Sequence, residues 1–151
     1  MDWDSIRISK ENVSWHKIIW FPSHIPKFSL IAWMVTLDKL PTKDRLVPFG
    51  LDIDDVCMVC GSGRESHDHL FADCPYVKDV WSAVLRLCGI RCVDFSWDQR
   101  LNWLIENLKD KTLRSRILKL AWTGFLYYIW EECNHRQFRG LSSASEVIVI
   151  E

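Results

Sequence analysis

Cys57-Met58-Val59-Cys60-Gly61-Ser62-Gly63-Arg64-Glu65-Ser66-His67-Asp68-His69-Leu70-Phe71-Ala72-Asp73-Cys74-Pro75 is the stretch on which the fold turns. It is polar and glycine-containing up to Asp68, so it lacks the apolar side chains to shape itself. What it has instead is metal ligands. Cys57 and Cys60 form a Cys-x2-Cys knuckle, followed after eight intervening residues by His69 and after four more by Cys74. Two thiolates from one tight turn and two ligands from the following segment can surround a tetrahedral zinc ion, whose borderline softness suits S and N donors. Gly61 and Gly63 relax the turn between them. A Cys3His set fills every position and leaves none for water or substrate, so one zinc ion is predicted to be structural and to contribute on the order of 10 kcal/mol to folding. His67 competes with His69 for the fourth place, and spacing alone does not separate them. Leu70 and Phe71 favour His69, because they look like the anchor that buries its turn. Asp68 or Asp73 is placed to accept from the ligand's other ring nitrogen.

Outward from this loop the pattern is helical. Upstream, residues 13 to 20 read as a short entry element ending at Pro22. Phe28, Leu30, Ile31, Met34, Val35 and Leu37 then recur at spacings of three and four, predicting a helix with a broad buried face that Pro41 stops. Thr42 is expected to cap a second short helix through its hydroxyl, ended by Pro48 and Gly50. Downstream, Pro75 opens a helix carrying Val77, Val80, Trp81, Val84, Leu85 and Cys88, closed by Gly89. Two more helices follow, from Asp98 to Leu108 and from about Thr112 to Phe138. The long one is expected to turn Leu113, Ile117, Leu120, Ala121, Phe125, Tyr128 and Ile129 to one side, with Trp122, Leu126 and Trp130 widening the stripe. Gly124 inside it implies close approach of a neighbour, since Gly there costs about 1 kcal/mol relative to Ala. The predicted fold is mostly α: a helical domain over 13–88 stapled by one zinc loop, a C-terminal helical hairpin over 98–139 packing on it, and a tail over 140–151 whose Val147-Ile148-Val149-Ile150 frays or pairs with a strand.

Composition narrows the function. The 151 residues are 48% hydrophobic, enough for a core, and the 19 basic and 20 acidic side chains leave a formal charge of -1. A protein that grips nucleic acid by neutralising phosphates usually carries a basic excess, so such binding here needs a local patch. Nine tryptophans point to an aromatic core before they point to base-stacking platforms. Met1 to Lys10 lacks the basic start and apolar run of a secretory signal, and Ile117 to Trp130 is too short to cross a bilayer, so a nuclear or cytoplasmic location without a membrane is expected. In that setting six cysteines suggest ligands and free thiols rather than disulfides. Cys88 reads as a small buried hydrophobe, and Cys92 and Cys133 receive no role. His16, His24 and His135 are scattered and read as local hydrogen-bonding groups.

A family resemblance rests on several motifs together: Val13-Ser14-Trp15-His16-Lys17-Ile18-Ile19-Trp20, Ile25-Pro26-Lys27, Leu40-Pro41-Thr42-Lys43-Asp44-Arg45-Leu46, Cys57-x2-Cys60, Glu65-Ser66-x2-His69-Leu70-Phe71-x2-Cys74-Pro75 and Val80-Trp81. These resemble the zinc-binding domain that follows the polymerase in plant LINE-type, non-LTR retrotransposon reverse transcriptases. Ile129-Trp130-Glu131-Glu132-x-Asn134-x-Arg136-x-Phe138 is similar to a Trp-x-x-Arg-Asn-x-x-x-Phe pattern downstream of that domain, with Cys133 standing where the pattern has Arg. The resemblance implies zinc on Cys57, Cys60, His69 and Cys74. It does not imply polymerase activity, because nothing in this chain resembles the palm and its aspartates. A chain with Met1 just ahead of the domain is expected to be a stand-alone copy without the polymerase.

Two functions follow as expectations. By resemblance the domain is expected to engage RNA or DNA, with Lys27, Lys39, Lys43 and Arg45 as a basic edge beside the zinc loop and Lys109, Lys111, Arg114, Arg116 and Lys119 as a second cluster. Asp38, Asp44, Asp52, Asp54, Asp55 and Asp110 sit among them, so solvated faces are the plainer reading. By composition the alternative is a protein-interaction module co-opted from a reverse transcriptase, recognisable by an exposed apolar patch around Trp97, Trp103, Trp122 or Trp130. No paired acids, nucleophile elbow or phosphate loop suggests an enzyme.

Overall fold

The computed structural model describes residues 15–50, 54–91 and 95–139. Cys92 and the tail from Gly140 lie outside them. In chain order the elements are α1 (His16–Ile19), α2 (Pro26–Thr36), α3 (Lys43–Leu46) running into a 3-10 turn (Val47–Phe49), a π-helical turn (His69–Asp73), α4 (Pro75–Leu87), α5 (Trp97–Asn107) and α6 (Leu113–Arg139). Among the described residues there is no strand, and extended pairing is limited to one antiparallel bridge between Val56 and Arg64. The mostly helical class expected from periodicity is the observed one. None of the described helices is long and apolar enough to cross a membrane.

The central packing is α2 along α6. Pro26 supplies the first turn of α2, where its missing N–H costs nothing. The buried side of α2 is not the large apolar stripe expected from spacing. It consists of Ser29, Ala32 and Val35, while Leu30 and Leu37 are exposed. Small side chains let two backbones approach, and α6 answers with Gly124, where a Cβ would stand 3.2 Å from Phe28 Cε2. The close approach predicted for this glycine is therefore made by the Phe28 ring, which also meets Tyr127 and Tyr128 at centroid distances of 5.1 and 5.5 Å. Buried Ser29 donates its hydroxyl to the Ile19 carbonyl at 2.7 Å, tying α1 to α2.

The start of α3 corrects another expectation. Thr42 holds the N-cap position, but its hydroxyl donates to Asp44 Oδ1 rather than accepting from the helix. Glu65 does the capping from the metal loop. Its carboxylate accepts the Lys43 backbone N–H at 3.1 Å, and its carbonyl accepts that of Asp44 at 3.1 Å.

Downstream, α5 opens on a capping box that apolar spacing does not reveal. Ser96 Oγ accepts from Gln99 N at 3.4 Å, and Gln99 Oε1 accepts from Ser96 N at 3.0 Å. Trp97 of α5 stacks on Trp122 of α6 with centroids 6.2 Å apart. One core runs from Ile18 to Cys133, including residues of the zinc segment and of α5 and α6. Trp81, Trp97 and Trp122 lie inside it, and Trp103 and Trp130 pack partly buried against it, so these tryptophans form no exposed patch. Cys88 is half-buried against the same core. In the first turns of α6 the buried positions are Ser115, Leu118 and Lys119, which leaves Leu113 73% and Ile117 49% exposed, contrary to expectation. The reason is polar: Asp110 accepts from the hydroxyls of Thr112 and Ser115, at 2.7 and 2.5 Å, and this turns the Ser115 side inward.

Candidate metal centre

Three short local structures bring the predicted ligands together. The bridge of Val56 to Arg64 closes the knuckle, with Cys57 N–H donating to Gly63 O at 3.0 Å and Gly61 N–H to Cys57 O at 2.8 Å. Gly61 and Gly63 hold φ of 72° and 75°, the left-handed region that side chains resist. Then the chain winds through the π turn, whose wider ladder lets Cys74 N–H reach His69 O at 2.7 Å and puts both residues on the side facing the knuckle. Leu70 and Phe71 are fully buried and anchor that turn, as expected.

The result is a cluster in which Cys57, Cys60, His69 and Cys74 each offer a ligand atom, all within 4.8 Å of one another. Cys57 and Cys74 are buried, and Cys60 and His69 half-buried. Zinc bonds of about 2.3 Å to sulfur and 2.0 Å to nitrogen place tetrahedral donors roughly 3.5 to 4 Å apart, and Cys60 Sγ stands 3.4 Å from His69 Nε2. The residues fit the ion. The Cys57 pKa is pulled down to about 5, chiefly by the Cys74 thiol donating to it and then, against burial, by the backbone N–H groups of Cys60 and Val59. Cys74 is pushed up correspondingly because it holds the shared proton.

His67 has another task. Its Nε2 lies 2.7 Å from the Val35 carbonyl and its Nδ1 2.9 Å from Asp68, while its ring packs edge-on to Trp97 at 4.9 Å. It stitches the metal segment to α2 and α5. Asp68 therefore serves His67 rather than His69.

Three residues to which spacing and composition assign no role frame the cluster. Glu65, 2% exposed, faces Lys43 and Cys133, and burial raises its pKa against the donors around it. Buried Arg100 donates from Nη1 to the Phe71 carbonyl at 2.9 Å and holds the π turn from α5. Arg136 donates from Nη1 to the Val59 carbonyl at 2.5 Å, inside the knuckle. Glu65 and Arg136 stand in the quoted family motifs; Arg100 has no sequence signal beyond being an arginine within an apolar-spaced helix.

Of the expected basic edge, Lys27 and Lys39 are exposed, but Lys43 is only 4% exposed and donates Nζ to the Val56 carbonyl at 2.8 Å beside Asp54 at 3.3 Å. Arg45 pairs with Asp38 at 2.7 Å. Lys43 is thus part of the loop's internal scaffold and not of a surface patch.

A helical chain with a closed Cys3His cluster, held by its own loop and by the surrounding helices, is a structural zinc domain. Residues 2–81 match the family model described as zinc-binding in reverse transcriptase, and the chain belongs to that family. It is also 28% identical over 118 residues to an Arabidopsis thaliana protein named "Putative ribonuclease H protein"; the match covers 78% of this chain and 18% of that one. The chain thus spans less than a fifth of the relative's length. No solved structure matches it. Family and site agree on one zinc ion in a helical, retrotransposon-derived domain of reverse-transcriptase type.

Proposed function

We propose that this domain is a non-catalytic nucleic-acid-binding module, engaging RNA or DNA through a surface that the zinc staple holds in place. The four donors, Cys57, Cys60, His69 and Cys74, would saturate the ion, so zinc supplies rigidity and offers no coordination site for a reacting group. The observation that carries the nucleic-acid reading is the start of α6. Lys111, Arg114 and Arg116 are exposed there, with Lys17 nearby on α1 and Lys119 at the inner edge. Burial lowers the Lys119 pKa, Asp110 opposes this, and Arg116 and Lys17 lower it a little further. The first turn of α6 contains no acid, although Asp110 just ahead of it accepts from Thr112 and Ser115. A phosphate backbone laid against the exposed Lys111, Arg114 and Arg116 releases counterions, which adds affinity. The experiment is a salt titration of zinc-loaded protein against labelled single-stranded RNA and duplex DNA. Binding that falls steeply with salt supports the reading; no binding at low salt overturns it.

A second reading is a protein-interaction module. Leu113 and Ile117, one helical turn apart on one face, are exposed with Arg114 and Arg116 flanking them, a pattern that also suits an acidic amphipathic partner. The tryptophans named above give it no support, since they belong to the core or pack against it.

A further inference from the structure

We infer that Arg136 is a positioning residue for the metal site: from the far end of α6 it holds the Cys57–Cys60 knuckle closed. Arg136 reaches the backbone of the knuckle itself. Its Nη1 donates to the Val59 carbonyl at 2.5 Å, and Val59 lies between the two knuckle cysteines with 5% exposure. The guanidinium is aimed from two other directions. Glu132, one turn earlier on α6 and 6% exposed, accepts its Nε at 2.7 Å, and the Tyr76 ring at the start of α4 lies under it at 4.9 Å. A planar fork gripped by a carboxylate on one edge and an aromatic face beneath has little freedom left, so its remaining N–H groups are pre-aimed. A lysine offers no such geometry.

The inference rests on the zinc reading and extends it to the rate and affinity of metal binding. Groups that orient a metal's ligands typically change metal affinity 10- to 100-fold when removed. The test is transfer of zinc from the loaded 151-residue chain to a chromophoric chelator, measured well below the melting transition. Arg136→Ala is expected to speed transfer about 10-fold or more, and Arg136→Lys to fall between it and wild type. Phe125→Leu is the control, because Phe125 is buried against Trp81 with centroids 5.0 Å apart and touches no knuckle residue by hydrogen bond. It should lower the melting temperature and leave transfer at the wild-type rate. Arg136→Ala transferring no faster than Phe125→Leu overturns the inference, reducing Arg136 to ordinary packing. Should Arg136→Ala not fold, Arg136→Lys takes its place against the same control: faster transfer supports the inference and equal transfer overturns it. A wild type that binds no zinc is a different failure, since it removes the metal reading as well.

Discussion

Cys133 on α6 donates its thiol to Glu65 Oε2 at 3.4 Å, while the other oxygen of the same carboxylate caps α3 through Lys43 N–H. One buried acid in the metal loop thus fastens two helices. Burial makes its charge costly, and the pKa of Glu65 is raised despite the Lys43 N–H, the Cys133 thiol and the Lys43 ammonium. An acid whose folded pKa exceeds its unfolded value contributes stability that is fully present below the unfolded pKa, near 4.5, and lost as pH rises through the folded pKa. Gln at this position keeps an acceptor and loses that dependence. Glu65→Gln is expected to gain on wild type in urea midpoint as pH rises from about 5 to 7 with zinc saturating, whereas a flat or falling difference would mean that the carboxyl ionises as freely folded as unfolded. Glu65→Ala strands two buried donors and should cost about 2 kcal/mol.

Gly63 and Gly61 share the left-handed backbone but differ in surroundings. A Cβ on Gly63 would stand 3.0 Å from His69 Cε1, and one on Gly61 meets nothing within 4 Å. Both alanine variants carry a conformational penalty of about 1 kcal/mol, but only Gly63→Ala displaces a ligand. We expect it to weaken zinc affinity at least tenfold more than Gly61→Ala, measured by competition with a chelator. Equal affinities would mean that His69 has room to move.

The basic face at the start of α6 yields a charge-reversal experiment. Arg114→Glu with Arg116→Glu should reduce RNA affinity sharply and lower the salt slope by about 1 for each phosphate that is no longer neutralised. Lys27→Ala with Lys39→Ala, on the edge expected from sequence, should change it far less. The reverse ranking would return the nucleic-acid surface to α2 and α3.

Much of this architecture is legible in sequence because it is local. Proline and glycine punctuation places α2, α4 and the end of α3, and the long periodic run locates α6 to within a residue or so at each end. The four metal ligands are readable because their chemistry and spacing are shared by few other arrangements. What escapes depends on contacts between distant residues. Nothing local to Thr42 says that Glu65 will cap its helix, and nothing in Lys43 distinguishes a buried scaffold lysine from a surface one. The face of α2 departs from expectation because apolar periodicity weighs large side chains, whereas packing on α6 selects Ser29 and Ala32 for closeness. His67 and His69 are alike in sequence and separate only once the Val35 carbonyl is found opposite one of them.

That pair of histidines is also the sharpest probe of whether zinc on Cys57, Cys60, His69 and Cys74 staples the fold. The measurement is zinc content together with thermal melting for wild type, Cys60→Ser, His69→Ala and His67→Ala. Wild type should carry one zinc per chain; Cys60→Ser and His69→Ala should lose it and their cooperative melting, as expected when about 10 kcal/mol of metal binding is removed. His67→Ala should keep the metal and lose about 1 to 3 kcal/mol from the orphaned carbonyl and the lost packing. Stoichiometric zinc and native melting in both Cys60→Ser and His69→Ala would refute a zinc-stapled fold.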